Sequence, residues 1–322
     1  MKFCVSWNSE GRARTIGHAL MTTRPTQRAA GRREGKSMHK SMLTSDGATI
    51  RYVDEGAGEV LILLHGWAQS AAMFRHQIAE FAGTRRVIAP DFRGHGSSPD
   101  CAHGHRIYRF AADLAELIER ENIRRATVLG WSMGASVLWA YVDLFGTGRI
   151  DRCVFVDEPA SVMRQAGMTD DEAADAGALF DAATMIGIAS QLAGPDSAAA
   201  REAFLDGMIT PGIPSELRRF LLDENLRPAA RSIAALFADH CSIDWRDVFA
   251  RFDVPVLVIG GRVSHVDIRS QIWIRDRLPE AELVILNEAD GGAHFPFIEA
   301  PEVFNAVLAG FLGTPAAAAG AA

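Results

Sequence analysis

A serine held between glycines, Gly130-Trp131-Ser132-Met133-Gly134, is the stretch of this chain best suited to covalent chemistry. It joins an apolar β-type run, Ala126 to Leu129, to an apolar helical run, Ala135 to Leu144. Glycines at a strand-to-helix junction let the backbone turn sharply with no Cβ clash, which lifts the Ser132 hydroxyl clear at the top of a sheet. Serine is a poor nucleophile unless a base takes its proton and fixed donors receive the negative charge that develops on the attacked group. Three further segments supply candidates. His65-Gly66-Trp67 follows the apolar run Val60 to Leu64, and Asp91-Phe92-Arg93-Gly94-His95-Gly96-Ser97-Ser98 follows Arg86 to Ala89. His294 lies in Asp290-Gly291-Gly292-Ala293-His294-Phe295, after the last apolar run, Leu283 to Leu286.

The elements that must hold these loops alternate between strand-like and helical. Thr49–Val53, Val60–Leu64, Arg86–Ala89, Ala126–Leu129, Cys153–Val156, Val256–Ile259 and Leu283–Leu286 read as short strands. Phe110–Glu121 carries Phe110, Leu114, Leu117 and Ile118 on one helical face, and Ile268–Leu278 is a second amphipathic helix. Continuous apolar strands alternating with helices predict an α/β fold with a mostly parallel sheet covered on both faces. Sites in such sheets lie at the carboxyl ends of strands, where each motif above falls. Between Glu158 and Trp245 the strand signal vanishes and the pattern turns helical, which predicts a helical cap over residues 158–245. The core then comprises 42–157 and 246–313.

Strand–HGW, strand–DFRGHGSS, strand–GWSMG and a late Gly-x-His, in that order, closely resemble the α/β-hydrolase fold family, within it the cap-bearing esterase, lactonase and cofactor-free haloperoxidase group. The resemblance spans Leu43 to Leu312. It implies that Ser132 is the nucleophile and His294 the base that takes its proton and returns it to the leaving group. It also implies that the backbone N–H groups of Met133 and Trp67 are the oxyanion donors, with Trp131 a further candidate for lining the substrate pocket. The chain departs from the family pattern at the acid. Relatives commonly carry Asp or Glu at the position occupied here by Ser264. Three carboxylates are candidates in its place: Asp157, favoured because it ends the strand after the elbow strand, the adjacent Glu158, and Asp267 further along the later loop. Each is also of a type that caps strands and helices. His65 and His95 are expected to tie loops together, and Cys101, His103 and His105 lack the second ligand pair of a recognised metal site.

The expected function is therefore that of a serine hydrolase acting on an ester or lactone of a small to medium, mostly apolar substrate through an acyl-enzyme. Serine at the elbow argues against chemistry that needs an aspartate nucleophile there. Perhydrolysis, carbon–carbon bond hydrolysis and a non-catalytic binding role on the same scaffold are the alternatives. In the cap, Met163, Met168, Leu179, Phe180, Met185, Ile186, Ile188, Phe204, Met208 and Ile209 are candidates for a pocket wall or for the cap's own core.

Composition bounds these readings. The chain has 322 residues and a net charge of −7, which argues against nucleic acid and anionic membrane surfaces as partners. No apolar run approaches the roughly 20 residues that span a bilayer. Four separated cysteines with no C-x-x-C pair predict reduced thiols and a cytoplasmic location. No strand-linked dinucleotide fingerprint or P-loop is present, so no cofactor is expected and the partner is a small-molecule substrate. Residues 1–41, rich in Arg and Ser, read as a leader or disordered segment, or as sequence upstream of a start at Met38 or Met42, and the Ala/Gly-rich 314–322 as a disordered tail.

Overall fold

The computed structural model describes residues 4–7, 13–16 and 39–313. Ten strands form one sheet: β1 (Cys4–Trp7), β2 (Ala13–Ile16), β3 (His39–Leu43), β4 (Thr49–Glu55), β5 (Val60–Leu64), β6 (Arg86–Asp91), β7 (Ala126–Trp131), β8 (Ile150–Val156), β9 (Val256–Gly261) and β10 (Ala281–Leu286). Their order is β2-β1-β10-β9-β8-β7-β5-β6-β4-β3. The six strands from β10 to β6 in that order are parallel; β3 and β4 are antiparallel at one end and β1 and β2 at the other. The eight strands from His39 onward are the mostly parallel sheet that the α/β pattern predicts.

Two strands, β1 and β2, lie within the stretch expected as a leader, and β3 starts in it. The β1–β2 pair covers the outer edge of β10, where an unpaired edge would leave a row of backbone donors and acceptors open. β3 begins before the expected core boundary at residue 42. The rest of 1–38, and the tail 314–322, lie outside the described residues.

Burial on both faces explains the continuous apolar runs. In β5, Ile62 and Leu64 join the apolar cluster on one face of the sheet, with Leu114, Ile118 and Leu138. Leu61 and Leu63 point to the other face and join Phe81, Phe304 and Phe311. Successive side chains of a strand point to opposite faces, so both sets must be apolar once helices cover both sides. The helices before the elbow are α1 (Arg75–Phe81) and α2 (Ile107–Arg120), and α3 (Met133–Phe145) leaves the elbow itself. α2 and α3 belong to the first face, α1 to the second.

Between β8 and β9 run five helices and no strand: α4 (Asp170–Ala176), α5 (Ala182–Ala193), α6 (Ser197–Asp206), α7 (Ser215–Leu226) and α8 (Ala230–Ser242). Thr169 opens α4 with a full capping box, its hydroxyl accepting from the Glu172 N–H while the Glu172 carboxylate accepts from the Thr169 N–H. This helical insertion is tied to the loop after β5 by three bonds. Trp67 Nε1 donates to the Ile233 carbonyl at 3.0 Å, Ser70 Oγ to Glu224 Oε2 at 2.5 Å and Gln69 Nε2 to the Leu221 carbonyl at 3.4 Å.

One glycine of the elbow is required by close approach. A Cβ on Gly134 would lie 2.2 Å from the Leu64 carbonyl oxygen, at the carboxyl end of β5. Gly134→Ala must therefore push α3 off the sheet. Its expected cost is roughly 3 kcal/mol or more, read as a lowered urea midpoint. An unchanged midpoint would show that the helix can yield there without loss.

Candidate active site

Strand register brings the sequence-predicted groups together. Trp131 of β7 pairs with Val156 of β8, and Val156 with Ile259 of β9. Ser132 and Asp157 therefore leave neighbouring strands side by side. The register continues one step past the ladder, with the Ser132 N–H donating to the Val156 carbonyl and the Asp157 N–H to the Ile259 carbonyl, both at 2.8 Å. Both residues have positive φ, 51° at Ser132 and 53° at Asp157. Non-glycine residues seldom occupy that region, and strained backbone held by its surroundings clusters at functional sites. Ser132, with ψ −131°, forms the strand-to-helix turn that the glycine spacing predicts.

His294 follows β10 and is only 3% exposed. Its main chain is held from two sides: Trp131 Nε1 donates to the His294 carbonyl at 2.8 Å, and the His294 N–H donates to the Met208 carbonyl of the insertion at 3.1 Å. The ring donates from Nδ1 to Asp157 Oδ2 at 2.7 Å. Asp157 is fully buried, and its other partners are the Gly261 N–H on Oδ1 at 3.2 Å and Ser264 Oγ on Oδ2 at 2.5 Å. Ser264, where the family resemblance led to the expectation of an acid, thus donates to a carboxylate that reaches the histidine from the neighbouring strand. With Nδ1 occupied, Nε2 is the ring nitrogen left for the pocket that Ser132 and His294 share. Among the described residues no direct hydrogen bond joins Ser132 Oγ to that ring, a common state of such pairs before substrate arrives.

The other two carboxylates go elsewhere. Asp267 is exposed and caps the helix Ile268–Arg275, accepting from the Arg269 N–H at 2.8 Å. Glu158 is buried and accepts from His240 Nε2 at 2.7 Å and Ser136 Oγ at 2.8 Å.

The loop bearing Trp67 abuts the elbow. A Cβ on Gly66 would lie 3.2 Å from Ser132 Cβ, so glycine there lets the two strand ends close up. Met133 opens α3, and the first N–H groups of a helix have no partner within it. These two observations place the backbone around Trp67 and Met133 next to the Ser132 side chain. The pocket holds about 540 Å³ of empty space, including its mouth. Trp67, Trp131, Leu179, Phe180, Phe204 and Met208 are among its walls. Of the insertion's apolar residues, Met168 instead packs with Ala173 and Ala176, and Ile186 is 60% exposed.

His265 and His240 also line the pocket and were not singled out in the sequence. The His265 ring meets that of His294 edge-on at 4.5 Å between centroids, and its Nδ1 has no partner among the described residues. Its place beside Ser264 is the signal that could have found it. A lone histidine inside an Ala-rich helix, as His240 is, gives no such signal.

His65 and His95 do tie loops. His65 Nδ1 donates to the Gly66 carbonyl at 2.8 Å while Nε2 accepts from the Phe92 N–H at 3.1 Å, the pattern of a neutral ring. His95 Nδ1 donates to the Arg93 carbonyl at 3.0 Å. His105 Nε2 donates to the Cys101 carbonyl, and His103 faces Asp46, so these side chains do not converge. Cys101, Cys153 and Cys241 are free thiols.

Burial lowers His65 to about 4 and, with neighbouring histidines, His95 and His265 to about 3. These folded-state values lie below the ordinary value of roughly 6.5, so the unfolded chain binds protons first as pH falls. The stability they contribute is complete above about pH 6.5 and is lost from there toward 4 for His65 and toward 3 for the other two. For fully buried His65 and His95 the loss is on the order of a few kcal/mol each. Urea midpoints are expected to fall steadily from pH 7 to pH 4.5; a flat profile would show that these rings are charged in the folded state.

Residues 61–307 match the model of the alpha/beta hydrolase family, and the chain belongs to that family. It is 30% identical over 288 residues to a non-heme chloroperoxidase from Streptomyces lividans, a match covering 84% of this chain and 99% of that protein. The fold is similar to that of a bromoperoxidase from Bacillus anthracis, with a TM-score of 0.78, 24% identity and coverage of 86% and 100% of the two chains. An esterase from Rhodococcus sp. ECU1013 gives a TM-score of 0.70 at 26% identity, covering 86% and 98%. Among the described residues no helix is long and apolar enough to cross a membrane.

Proposed function

We propose that this protein is a serine hydrolase that cleaves an ester or lactone of a small to medium, mostly apolar substrate through an acyl-enzyme. The observation that carries the reading is the strained turn at Ser132 beside an imidazole whose Nδ1 is tied to the buried Asp157. Ser132 Oγ attacks the carbonyl carbon while His294 Nε2 takes its proton, and Asp157 holds the ring in that tautomer and stabilises the imidazolium. The N–H groups of Met133 and Trp67 receive the oxyanion, each such donor contributing about 3 kcal/mol in the transition state. The tetrahedral intermediate collapses as His294 returns the proton to the leaving alkoxide. Water, deprotonated by the same nitrogen, then attacks the acyl carbon and frees Ser132. The helical insertion is the cap that walls the apolar pocket.

A serine at the elbow supports carbonyl attack over mechanisms with an aspartate nucleophile. The test is a fluorophosphonate probe: one adduct on Ser132, found by mass spectrometry of the digested protein, is the expected result. Absence of an adduct, or one that maps elsewhere, would sink the proposal.

The similarity to a protein named as a non-heme chloroperoxidase favours one second reading. In it, hydrogen peroxide replaces water at the acyl-enzyme, so that its oxygen bonds to the acyl carbon and a peracid leaves as Ser132 regains its proton. Peracid formation from an ester and peroxide, at a rate comparable to hydrolysis, would establish it.

A further inference from the structure

Arg86, Arg93, Arg218 and Arg246 each present one edge of the guanidinium, Nε with Nη2, to both oxygens of a single carboxylate. Two parallel bonds of this kind pair the charge and satisfy both donors. Arg201 of α6 presents the same edge to an amide instead. Its Nε donates to Asn225 Oδ1 of α7 at 3.1 Å, and its Nη1 donates to the Pro228 carbonyl at 3.0 Å. Asn225 has one oxygen where an aspartate has two, and the consequence is visible on both sides of that bond. Arg201 Nη2 and Asn225 Nδ2 are enclosed donors with no partner among the described residues. Ser197 Oγ, one turn earlier on the same face of α6, is a third such atom. Arg201 is 3% exposed and Asn225 fully buried. Burial alone pulls the guanidinium down to about 10, with no carboxylate near enough to oppose it. At neutral pH a buried positive charge therefore stands without a counter-charge among the described residues, an arrangement that costs several kcal/mol unless it is paired.

We infer that Arg201 Nη2 and Asn225 Nδ2 form a buried site for a small monovalent anion, a halide of chloride's size, which neutralises the guanidinium and braces α6 against α7. The two nitrogens flank one hydrogen bond, each two covalent bonds from an atom of it, so one acceptor can serve both. A single negative charge matches the single positive one. A phosphate or an organic acid would bring further oxygens into a place that offers them no donors, whereas a spherical ion has none to leave unpaired. The site lies behind the wall of the pocket, since neither Arg201 nor Asn225 lines it. Both helices nevertheless reach the active site. α6 carries Phe204 into the pocket wall, and α7 holds the loop after β5 through the Leu221 carbonyl and Glu224. The inference is independent of the reaction at Ser132.

The thermal midpoint tests this when sodium gluconate, whose anion is too large to be enclosed, is exchanged for sodium chloride at fixed ionic strength. For the wild-type protein the midpoint is expected to rise by about 3 °C or more and to level off as the site fills. Asn225→Asp keeps the shape of the side chain and supplies the missing oxygen and charge. Its midpoint in gluconate is expected to match or exceed that of the wild type in chloride, and chloride should then move it by no more than about 1 °C. A wild-type midpoint indifferent to chloride overturns the proposal, and so does a variant that responds as the wild type does. Diffraction from wild-type crystals grown in sodium bromide decides the matter even if the variant does not fold. An anomalous peak in contact with Arg201 Nη2 and Asn225 Nδ2 is the expected result. A water molecule there, or bromide at the surface only, would overturn the assignment.

Discussion

Ser132→Ala is expected to lower ester turnover by about 10⁴-fold or more and to abolish fluorophosphonate labelling. The argument rests on how little else the hydroxyl does. Among the described residues Ser132 Oγ makes no hydrogen bond, and the helix it precedes draws no side-chain cap from it. The backbone contacts that hold the turn run through the Ser132 N–H and carbonyl, to Val156 and Ala135. Alanine keeps those contacts, the Cβ and the unfavourable φ. The thermal midpoint should therefore stay within a few degrees while activity vanishes. Turnover that survives the substitution would mean that the bond to the acyl group never forms at residue 132.

Asp157→Asn is the second large effect, an expected loss of 10³- to 10⁴-fold in kcat. The Gly261 N–H donates to Oδ1, so an asparagine keeps its amide oxygen on that side. The amide nitrogen then takes the place of Oδ2 and faces both the Ser264 hydroxyl and Nδ1 of His294. It can donate to that ring nitrogen but not accept from it. The ring is thus driven to carry its proton on Nε2, the tautomer unable to deprotonate a serine. Asp267→Asn, at an exposed helix cap, is expected to change kcat less than twofold and serves as the control. Ser264→Ala should fall between, at roughly tenfold, because it removes one of the three bonds that orient Asp157. Equal losses in the Asp157 and Asp267 variants would remove the assignment of Asp157.

Much of this arrangement could be read from residue types alone. Gly134 must be glycine because α3 crosses the end of β5 at backbone contact, and the G-x-S-x-G spacing announces that crossing. The apolar runs at Val60–Leu64, Ala126–Leu129 and Val256–Ile259 announce strands covered on both faces, since only such strands need no polar alternation. Strand boundaries were less legible. β8 starts at Ile150, where Asp151 and Arg152 interrupt the apolar run that marked only Cys153 onward. Arg152 is nevertheless buried, its guanidinium donating to the Phe311 carbonyl. β1 and β2 sit in a stretch whose composition carries no strand signal, where pairing to the edge of β10 supplies the backbone partners.

Local pattern determined the order of the strands from β4 onward, the turn at Ser132 and the loop that carries His294, because each depends on residues a few positions apart. It left three carboxylates open as partners of that histidine, since each lies far from residue 294 along the chain and nothing local ranks them by distance. Strand register decided among them. Pairing β7 with β8 and β8 with β9 set Asp157 against the imidazole, sent Glu158 to a histidine in a helix 82 positions away, and left Asp267 capping a helix in solvent. A side chain's partner across a sheet follows from which strands lie adjacent, and that is a property of the whole fold rather than of any segment.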